Sequence, residues 1–191
     1  MSKNPKIIFI TGTPGVGKST IAIKLNEILS KKYNSVLFKL NEIAISNDLI
    51  LGEDLEKGYK ILNLPKIDEK LKELIKFNTS HNLMKIAIVE GHTSHFLSNP
   101  DKIIVLRLNP ETLKERLEKR DYFLSKINDN LEVEALAICS SESYDLHGEK
   151  VNELDTTNLS IEDVVNKCLE IIIDDIHYPV GNIDFMEWFL K

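Results

Sequence analysis

Residues 12–19 read Gly12-Thr13-Pro14-Gly15-Val16-Gly17-Lys18-Ser19, which fits the pattern G-x-x-x-x-G-K-[ST] at every fixed position. The apolar run before it, residues 7–10, predicts a buried strand, and the residues after it show the apolar spacing of an amphipathic helix. In that context the glycines let successive backbone N–H groups turn toward a phosphate, and the helix N-terminus adds its positive dipole. A glycine-rich turn without a ligand does not explain the strand, the helix and the lysine together. The stretch therefore predicts a loop that binds a nucleoside triphosphate.

Two side chains of this loop are expected to contact the ligand or its metal ion. Lys18 supplies a mobile positive charge for the β- and γ-phosphates, and the Ser19 hydroxyl is a ligand for Mg²⁺. We therefore expect Mg²⁺, bound together with ATP, to be the cofactor.

The composition limits the class of protein and its partners. A chain of 191 residues with 42% hydrophobic and 28% charged residues is expected to form one domain with a buried core. A net charge of −6 argues against binding to naked nucleic acid by charge alone. We expect no direct sequence-specific nucleic-acid binding, and a basic protein suits this chain better as a partner.

Cysteine use and hydropathy predict the compartment. Cys139 and Cys168 are far apart in apolar surroundings, which fits reduced thiols and excludes a four-cysteine zinc site. No apolar stretch approaches the roughly 18 residues of a membrane span, and the N-terminus has no signal-peptide pattern. We expect a protein without membrane attachment, cytoplasmic, or nuclear if the source is a eukaryote.

Apolar strands alternate with amphipathic helices along the chain. The sequence predicts further strands over residues 35–40, 86–89, 103–106 and, more weakly, 151–155. It predicts helices around residues 67–75, from 110, from about 125 to 138, and from 161, and an irregular stretch with short helical pieces over 41–63. This order predicts an α/β fold of the three-layer P-loop NTPase type, with a parallel sheet covered by helices on both faces. Ligands of such sheets bind at the carboxyl ends of the strands.

The strand over residues 86–89 ends in Glu90-Gly91-His92, at that same edge of the sheet. A carboxylate at this place can hold Mg²⁺ through its water molecules, and His92 is expected on the same face. The alternative is that Glu90 caps the strand and His92 only makes a loop hydrogen bond. His95 extends the pattern to Glu-x-His-x-x-His, but the spacing is not that of a zinc-protease helix, so no transition-metal site is expected.

Arginine is rare and clustered. The chain contains 21 lysines and three arginines, and Arg107, Arg116 and Arg120 lie within fourteen positions. Arg116 and Arg120 are one helical turn apart, and an arginine carried by a closing loop stabilises the charge that develops in phosphoryl transfer. The alternative, ion pairing on the helix surface, explains one arginine better than two. Arg107 is compatible with either a site residue or a structural ion pair.

These motifs together resemble the adenylate kinase isoenzyme 6 family, the coilin-interacting nuclear ATPase type that is also found in archaea. The resemblance is carried by the phosphate-binding loop, by the strand that ends in acid-x-His, and by Val-Leu-Arg-Leu followed by Glu-Arg-Leu-Glu-Lys-Arg-Asp-Tyr. It covers residues 6 to 144. It implies a single P-loop nucleoside-monophosphate kinase domain, with a monophosphate-binding arm at about 39–64 and a short lid at about 119–129.

The resemblance also implies activities and site residues. It implies phosphoryl transfer from ATP to AMP, slow ATP hydrolysis, and a role in small ribosomal subunit and rRNA maturation with a basic ribosomal protein as partner. The catalytic residues would be Lys18, Glu90, His92 and Arg120, with Ser19 and Glu90 at the metal. The ATP-binding residues would be Gly15, Val16, Gly17, Lys18, Ser19, Thr20 and Arg120.

Two positions depart from the family pattern. The acid is usually aspartate, and Glu90 is one methylene longer. The arm contains no arginine for the AMP phosphate, and Lys57 or Lys60 would have to act there as a point charge. Lys57 is therefore expected as an additional phosphate contact. Arg116, one helical turn before Arg120, is expected as another.

Other functions remain open on the sequence. The arm without arginine favours an ATPase assembly factor whose kinase activity is incidental. A small-metabolite P-loop kinase such as shikimate kinase would need an arginine-rich acceptor pocket, and a length of 191 residues is short for an AAA+ motor.

The C-terminal segment carries the single tryptophan and two phenylalanines, within residues 184–190. One interpretation is an extension that packs back onto the body and buries its aromatic rings. The other is a partner-binding segment, since aromatic residues dominate interface energetics.

Overall fold

A parallel sheet of five strands lies at the centre of the structure, a computed structural model that describes residues 4–54, 59–120 and 122–190. The strands are β1 (Lys6–Thr11), β2 (Ser35–Lys39), β3 (Ile50–Asp54), β4 (Tyr59–Leu62), β5 (Ile86–Glu90), β6 (Lys102–Arg107) and β7 (Val151–Asp155). The α-helices are α1 (Lys18–Tyr33), α2 (Leu40–Ser46), α3 (Leu64–Asn82), α4 (Pro110–Glu118), α5 (Leu124–Ala135), α6 (Ile138–His147) and α7 (Ile161–Ile173). The sheet order is β2-β5-β1-β6-β7, and β3 and β4 form a separate antiparallel hairpin.

Both faces of the sheet are buried, because alternate side chains of each apolar strand point to opposite sides. Ile8 and Ile10 of β1 belong to one core cluster, together with apolar residues of α1, α4, α5 and α7. Phe9, between them in sequence, belongs to the other cluster, with residues of α2, α3 and α6. This arrangement confirms the predicted three-layer α/β fold with helices on both faces.

The stretch over residues 41–63 is more regular than the sequence predicts. It forms helix α2 and the β3–β4 hairpin, whose strands are only five and four residues long and show no strict alternation of apolar and polar side chains. Residues 55–58, which include Lys57, lie outside the described part of the chain. Among the described residues, helix α2 and the hairpin strands together occupy the stretch predicted as the arm, at about 39–64.

The predicted long helix from about residue 125 to 138 is wrong, because the chain breaks between α5 and α6. Ala137 adopts a left-handed conformation with φ of 54°, which ends a right-handed helix. The carbonyl of Glu134 near this break accepts a hydrogen bond from the Arg107 guanidinium at 2.7 Å and one from the Ala137 amide at 3.1 Å. A side chain from β6 thus satisfies a carbonyl that the interrupted helix leaves without its usual partner.

The C-terminal segment returns to the body of the protein. The Tyr178 carbonyl accepts a hydrogen bond from the backbone N–H of Glu153 at 2.9 Å, and the Tyr178 hydroxyl donates to the Glu170 carboxylate. Trp188 is partly buried against the first core cluster, whereas Leu190 is 86% exposed. These contacts support the interpretation of a packed extension for Trp188, whereas the Phe189 ring is 45% exposed and is not buried by it.

Both cysteines lie in the core, as their apolar surroundings in the sequence predict. Cys139 and Cys168 are free and buried, and burial raises the pKa of both thiols to about 12. None of the helices in the described ranges is long and apolar enough to cross a membrane.

Candidate active site

The phosphate-binding loop connects β1 to α1 at the carboxyl edge of the sheet, and its conformation depends on glycine. Gly12 and Gly15 have φ of 130° and 100°, a region that residues with a side chain rarely adopt. A Cβ atom on Gly12 would lie 2.4 Å from the Leu106 carbonyl oxygen, and one on Gly15 would lie 2.7 Å from Leu113 Cδ1. The loop is therefore pressed against β6 and α4, with no room for larger residues at these two positions.

Lys18 folds back into the loop. Its Nζ donates hydrogen bonds to the carbonyl oxygens of Gly12 and Thr13 at 2.8 and 3.0 Å. Burial lowers the pKa of the Lys18 ammonium from 10.5 to about 8, and the nearby Glu90 carboxylate opposes this shift. The loop therefore holds a buried cation where an anionic ligand would complete its coordination.

A cleft of about 540 Å³ lies between the loop, the arm and the residues that follow α4. It brings together most of the predicted site residues, namely Gly15, Gly17, Lys18, Ser19, Thr20, Glu90, His92 and Arg120. Val16 does not line this cleft, because its side chain is packed in the core beneath the loop and is 2% exposed. Only the backbone of Val16 is thus available to a ligand in the cleft.

Glu90 is the last residue of β5 and lies between β1 and β2, in register with Ile10 and Lys39. Its carboxylate lines the cleft, and no described residue donates a hydrogen bond to it. A Cβ atom on the next residue, Gly91, would lie 2.8 Å from Leu40 Cδ1, so the chain passes α2 closely at this turn. Glu90 and the Ser19 hydroxyl together offer the hard oxygen ligands that Mg²⁺ prefers, so the residues present fit this ion.

His92 is attached by one hydrogen bond to the phosphate-binding loop and by another to the last residue of β1. Its Nδ1 donates to the Gly12 carbonyl at 3.1 Å, and its own carbonyl accepts from the Thr11 hydroxyl at 2.9 Å. Burial lowers the pKa of His92 below 6.5, and the Lys18 ammonium acts in the same direction. A neutral ring that donates through Nδ1 keeps Nε2 as a hydrogen-bond acceptor.

His95 does not line the cleft, and both of its ring nitrogens are bound within the protein. It is 1% exposed, with Nδ1 at 2.9 Å from the Thr11 hydroxyl and Nε2 at 3.1 Å from the Glu142 carboxylate. In the part of the chain that is described, no three His, Cys, Asp or Glu side chains are grouped as metal ligands.

The three arginines occupy three different environments. Arg120 lines the cleft, whereas Arg107 is 1% exposed and forms ion pairs with Glu134 and Glu153 away from it. Arg116 does not line the cleft. Its Nη1 lies 3.5 and 3.4 Å from the carbonyl oxygens of residues 15 and 16, and its side chain borders a separate pocket of about 260 Å³. The structure therefore separates the two arginines that the helical spacing had paired.

The arm and the chain around the start of α5 add Lys60, which the sequence offered as a phosphate contact, and three residues that the sequence assigned no role in the site. Tyr59, Lys60, Tyr122 and Lys126 all line it. Lys126 Nζ lies 4.4 Å from the ring centre of Tyr59 and 4.5 Å from that of Tyr122, so one ammonium contacts both walls. Among 21 lysines, Lys126 carried no sequence signal of its own, and only Tyr122 fell within a recognised motif.

Comparison with known proteins agrees with this geometry. Residues 8–137 match the family model described as AAA domain. This match shows kinship with AAA domains, although the chain of 191 residues is short for an AAA+ motor. A protein of Methanothermobacter thermautotrophicus is 38% identical over 184 residues, which covers 96% of this chain and 99% of the relative. Proteins of Methanococcus maripaludis and Pyrococcus furiosus are each 38% identical, over 95% and 94% of this chain and 96% and 91% of their own lengths. All three carry the name "Putative adenylate kinase".

The matched segment contains the phosphate-binding loop, the Glu90 strand end and Arg120, and the relatives span nearly the whole chain. The chain therefore belongs to the family of P-loop nucleoside-monophosphate kinases that these archaeal proteins represent.

Proposed function

We propose that this protein transfers the γ-phosphoryl group of ATP to AMP and also hydrolyses ATP slowly. In the transfer, the bond between the γ-phosphorus and the β–γ bridging oxygen breaks, and an oxygen of the AMP phosphate forms the new bond, giving two ADP. The observation that carries the proposal is the common cleft that Lys18, Glu90, His92 and Arg120 line together with the arm. The names of the relatives support the same reaction.

The donor phosphates would lie on the phosphate-binding loop. The ammonium of Lys18 is held in the loop by two carbonyls at 2.8 and 3.0 Å, and it would exchange these partners for the β- and γ-phosphates when ATP binds. Its charge, the backbone N–H groups of the loop and Arg120 would neutralise the oxygens of the transferred group. Ser19 and Glu90 would hold Mg²⁺, Glu90 through water, and the ion would neutralise further phosphate charge when bound.

The donor base has a candidate pocket of its own. The pocket of about 260 Å³ shares Gly17 and Thr20 with the main cleft and is bordered by Arg116 and Ser160. A base attached to a triphosphate on the loop can enter it, and the planar Arg116 guanidinium can stack on a purine. We therefore assign Arg116 to the base rather than to a phosphate.

The acceptor would lie against the arm. Apolar side chains of α2 and the hairpin, including Ala44, Ile50 and Leu62, form one wall of the cleft and suit a base. Lys60 lines the same cleft and would contact the AMP phosphate, whereas Lys57 lies outside the described residues. Lysine acts as a point charge without the bidentate fork of arginine, so acceptor binding is expected to be weaker than donor binding.

Hydrolysis needs a positioned water in place of AMP. The Nδ1–H of His92 is bound to the Gly12 carbonyl, so Nε2 remains as an acceptor that can orient a water molecule in the cleft. His92 should therefore matter more for hydrolysis than for transfer, because a bound AMP brings its own nucleophile. Transfer together with slow hydrolysis is what the isoenzyme 6 type of adenylate kinase implies, and the strand end with Glu90 and His92 is the feature that supports this type here.

The cellular role that we infer from that type is small-subunit ribosome maturation, with a basic ribosomal protein as partner, in the cytoplasm or in a nucleus. The net charge of −6 supports a basic partner. An ATPase assembly factor with incidental kinase activity is the second candidate, and the arm without arginine favours it.

Initial rates of ADP formation test the proposal, measured with ATP alone, with ATP and AMP, and with ATP and the candidate ribosomal protein. A kinase shows a rate with AMP at least about tenfold above the rate with ATP alone, since the acceptor replaces a poorly held water. A rate that AMP leaves unchanged and the basic protein increases would favour the assembly ATPase. Lys18→Met should abolish both rates, whereas Lys24→Met, at a side chain 53% exposed on the same helix, should retain them.

A further inference from the structure

A buried group of charges lies behind the phosphate-binding loop, outside the cleft. Arg107, at the end of β6, is the largest fully buried side chain in the described ranges. Its Nε donates to Glu134 Oε1 of α5 at 2.8 Å, and its Nη1 donates to Glu153 Oε1 of β7. Glu134 and Glu153 are 1% and 4% exposed, so two carboxylates and one guanidinium are enclosed together.

One member of this group contacts the loop directly. The other oxygen of Glu134, Oε2, accepts a hydrogen bond from the hydroxyl of Thr13, a fully buried residue of the phosphate-binding loop. The backbone carbonyl of the same Thr13 accepts the hydrogen bond from Lys18 Nζ at 3.0 Å. Thr13 therefore joins Glu134 on one side to the phosphate-binding lysine on the other.

Glu134 is held in a single orientation. Besides Arg107, its Oε1 accepts the backbone N–H of Leu108 at 3.0 Å, so both carboxylate oxygens have fixed donors. Burying such ion pairs is a poor way to gain stability, since apolar residues of similar volume often serve as well. A fixed acceptor for the Thr13 hydroxyl is something that apolar residues cannot supply.

We propose that Glu134 is a positioning residue for the phosphate-binding loop: through Thr13 it holds the loop and the carbonyl that anchors Lys18 in the geometry that binds the triphosphate. Arg107 and Glu153 orient Glu134. Because Glu134 lies on α5, whose first half falls within the predicted lid at about 119–129, this contact also connects the lid helix to the loop. The inference rests on the proposed function only in taking ATP as the ligand of the loop.

Matched variants separate positioning from general stability. Thr13→Val removes the hydroxyl at nearly constant volume, and Thr13→Ser restores it. Glu134→Gln weakens the acceptor, and Ser140→Ala is the control, because the Ser140 hydroxyl donates to Glu153 at the other end of the group without touching the loop. If Glu134→Gln fails to fold, the comparison of Thr13→Val with Thr13→Ser still tests whether the loop depends on this hydrogen bond.

Hydrogen exchange of the free protein is the first measurement, read at the amides of residues 15–18. Thr13→Val should exchange there about tenfold faster than the wild type, while Thr13→Ser and Ser140→Ala match it. The KM for ATP and the dissociation constant of Mg-ATP should rise about tenfold in Thr13→Val, which corresponds to about 1.4 kcal/mol. Ser140→Ala should keep the wild-type constants even if its melting temperature falls.

Unchanged loop exchange in Thr13→Val would overturn the inference, and so would a melting temperature that falls while ATP affinity stays at the wild-type value. The exchange measurement uses no nucleotide. A wild-type protein that binds no ATP would therefore defeat the proposed function, and the loop exchange would still decide the role of Glu134.

Discussion

Raising the pH from 7 to 9 should weaken ATP binding about tenfold, because it removes the charge of one buried lysine. Burial lowers the pKa of Lys18 from 10.5 to about 8 against the opposing pull of Glu90. A group with this pKa is about nine-tenths protonated at pH 7 and about one-tenth protonated at pH 9. The triphosphate binds the protonated form, so the apparent dissociation constant should rise about tenfold, or about 1.4 kcal/mol. Burial lowers the pKa of His92 from its ordinary value, away from this pH range, so His92 does not account for the change.

The same pKa fixes the sign of a stability change in the free protein. The folded value of about 8 lies below the ordinary value of 10.5, so the unfolded state binds this proton more tightly. The contribution of Lys18 therefore destabilises the fold below pH 8, and the free energy of unfolding recovers as the pH rises from about 8 to 10.5.

Titration calorimetry with Mg-ATP at three pH values between 7 and 9 measures the binding effect. Lys18→Met should bind far more weakly and lose the pH dependence, whereas Lys24→Met should retain it because that side chain is 53% exposed. A wild-type dissociation constant that stays the same between pH 7 and pH 9 would refute Lys18 as the titrating charge on the phosphates.

Three further substitutions or deletions have defined outcomes. Arg120→Lys should lower kcat at least about tenfold with little change in ATP affinity, because the lysine charge cannot contact two equatorial phosphate oxygens at once. A change confined to KM would contradict this role of Arg120. Gly91→Ala should reduce the free energy of unfolding by about 1–3 kcal/mol in denaturant titrations, because the alanine Cβ would lie 2.8 Å from Leu40 Cδ1. A variant with wild-type stability would show that α2 shifts to accommodate the methyl group at little cost. Deleting the residues after Tyr178 should lower the melting temperature, because the deletion removes the packing of Trp188 and the Phe185 ring, whose centre lies 5.2 Å from Arg107 Cζ. An unchanged melting temperature with lost partner affinity would instead favour a partner-binding segment.

The layered fold and the centre of the site could be predicted because their signals are local. The loop pattern is contiguous, and apolar strands alternating with amphipathic helices leave few alternatives to a covered parallel sheet. Arg120 is predicted separately, by the arginine cluster and the predicted lid. Glu90 and His92 follow from the same logic as the sheet, since the carboxyl ends of parallel strands meet at one edge. Their proximity in the cleft needed no knowledge of side-chain packing.

The remaining features depend on contacts between distant residues. Arg107 reaches Glu134 and Glu153, which are 27 and 46 positions away, so its spacing to neighbours in sequence could not reveal that it is enclosed. The break at Ala137 carries no glycine or proline, and the carbonyl of Glu134 near it accepts a hydrogen bond from that distant arginine. Arg116 and Arg120 share a helical spacing, yet only the second reaches the cleft.

The fate of the γ-phosphoryl group tests the central proposal most directly. The wild-type protein is incubated with Mg²⁺, AMP and ATP labelled in the γ-phosphate, and the label is followed in ADP and in inorganic phosphate. We expect most of the label in ADP formed from AMP, a smaller part in phosphate, and neither product with Lys18→Met. Label that appears only in phosphate, at the same rate with and without AMP, would contradict a kinase that uses AMP as its acceptor.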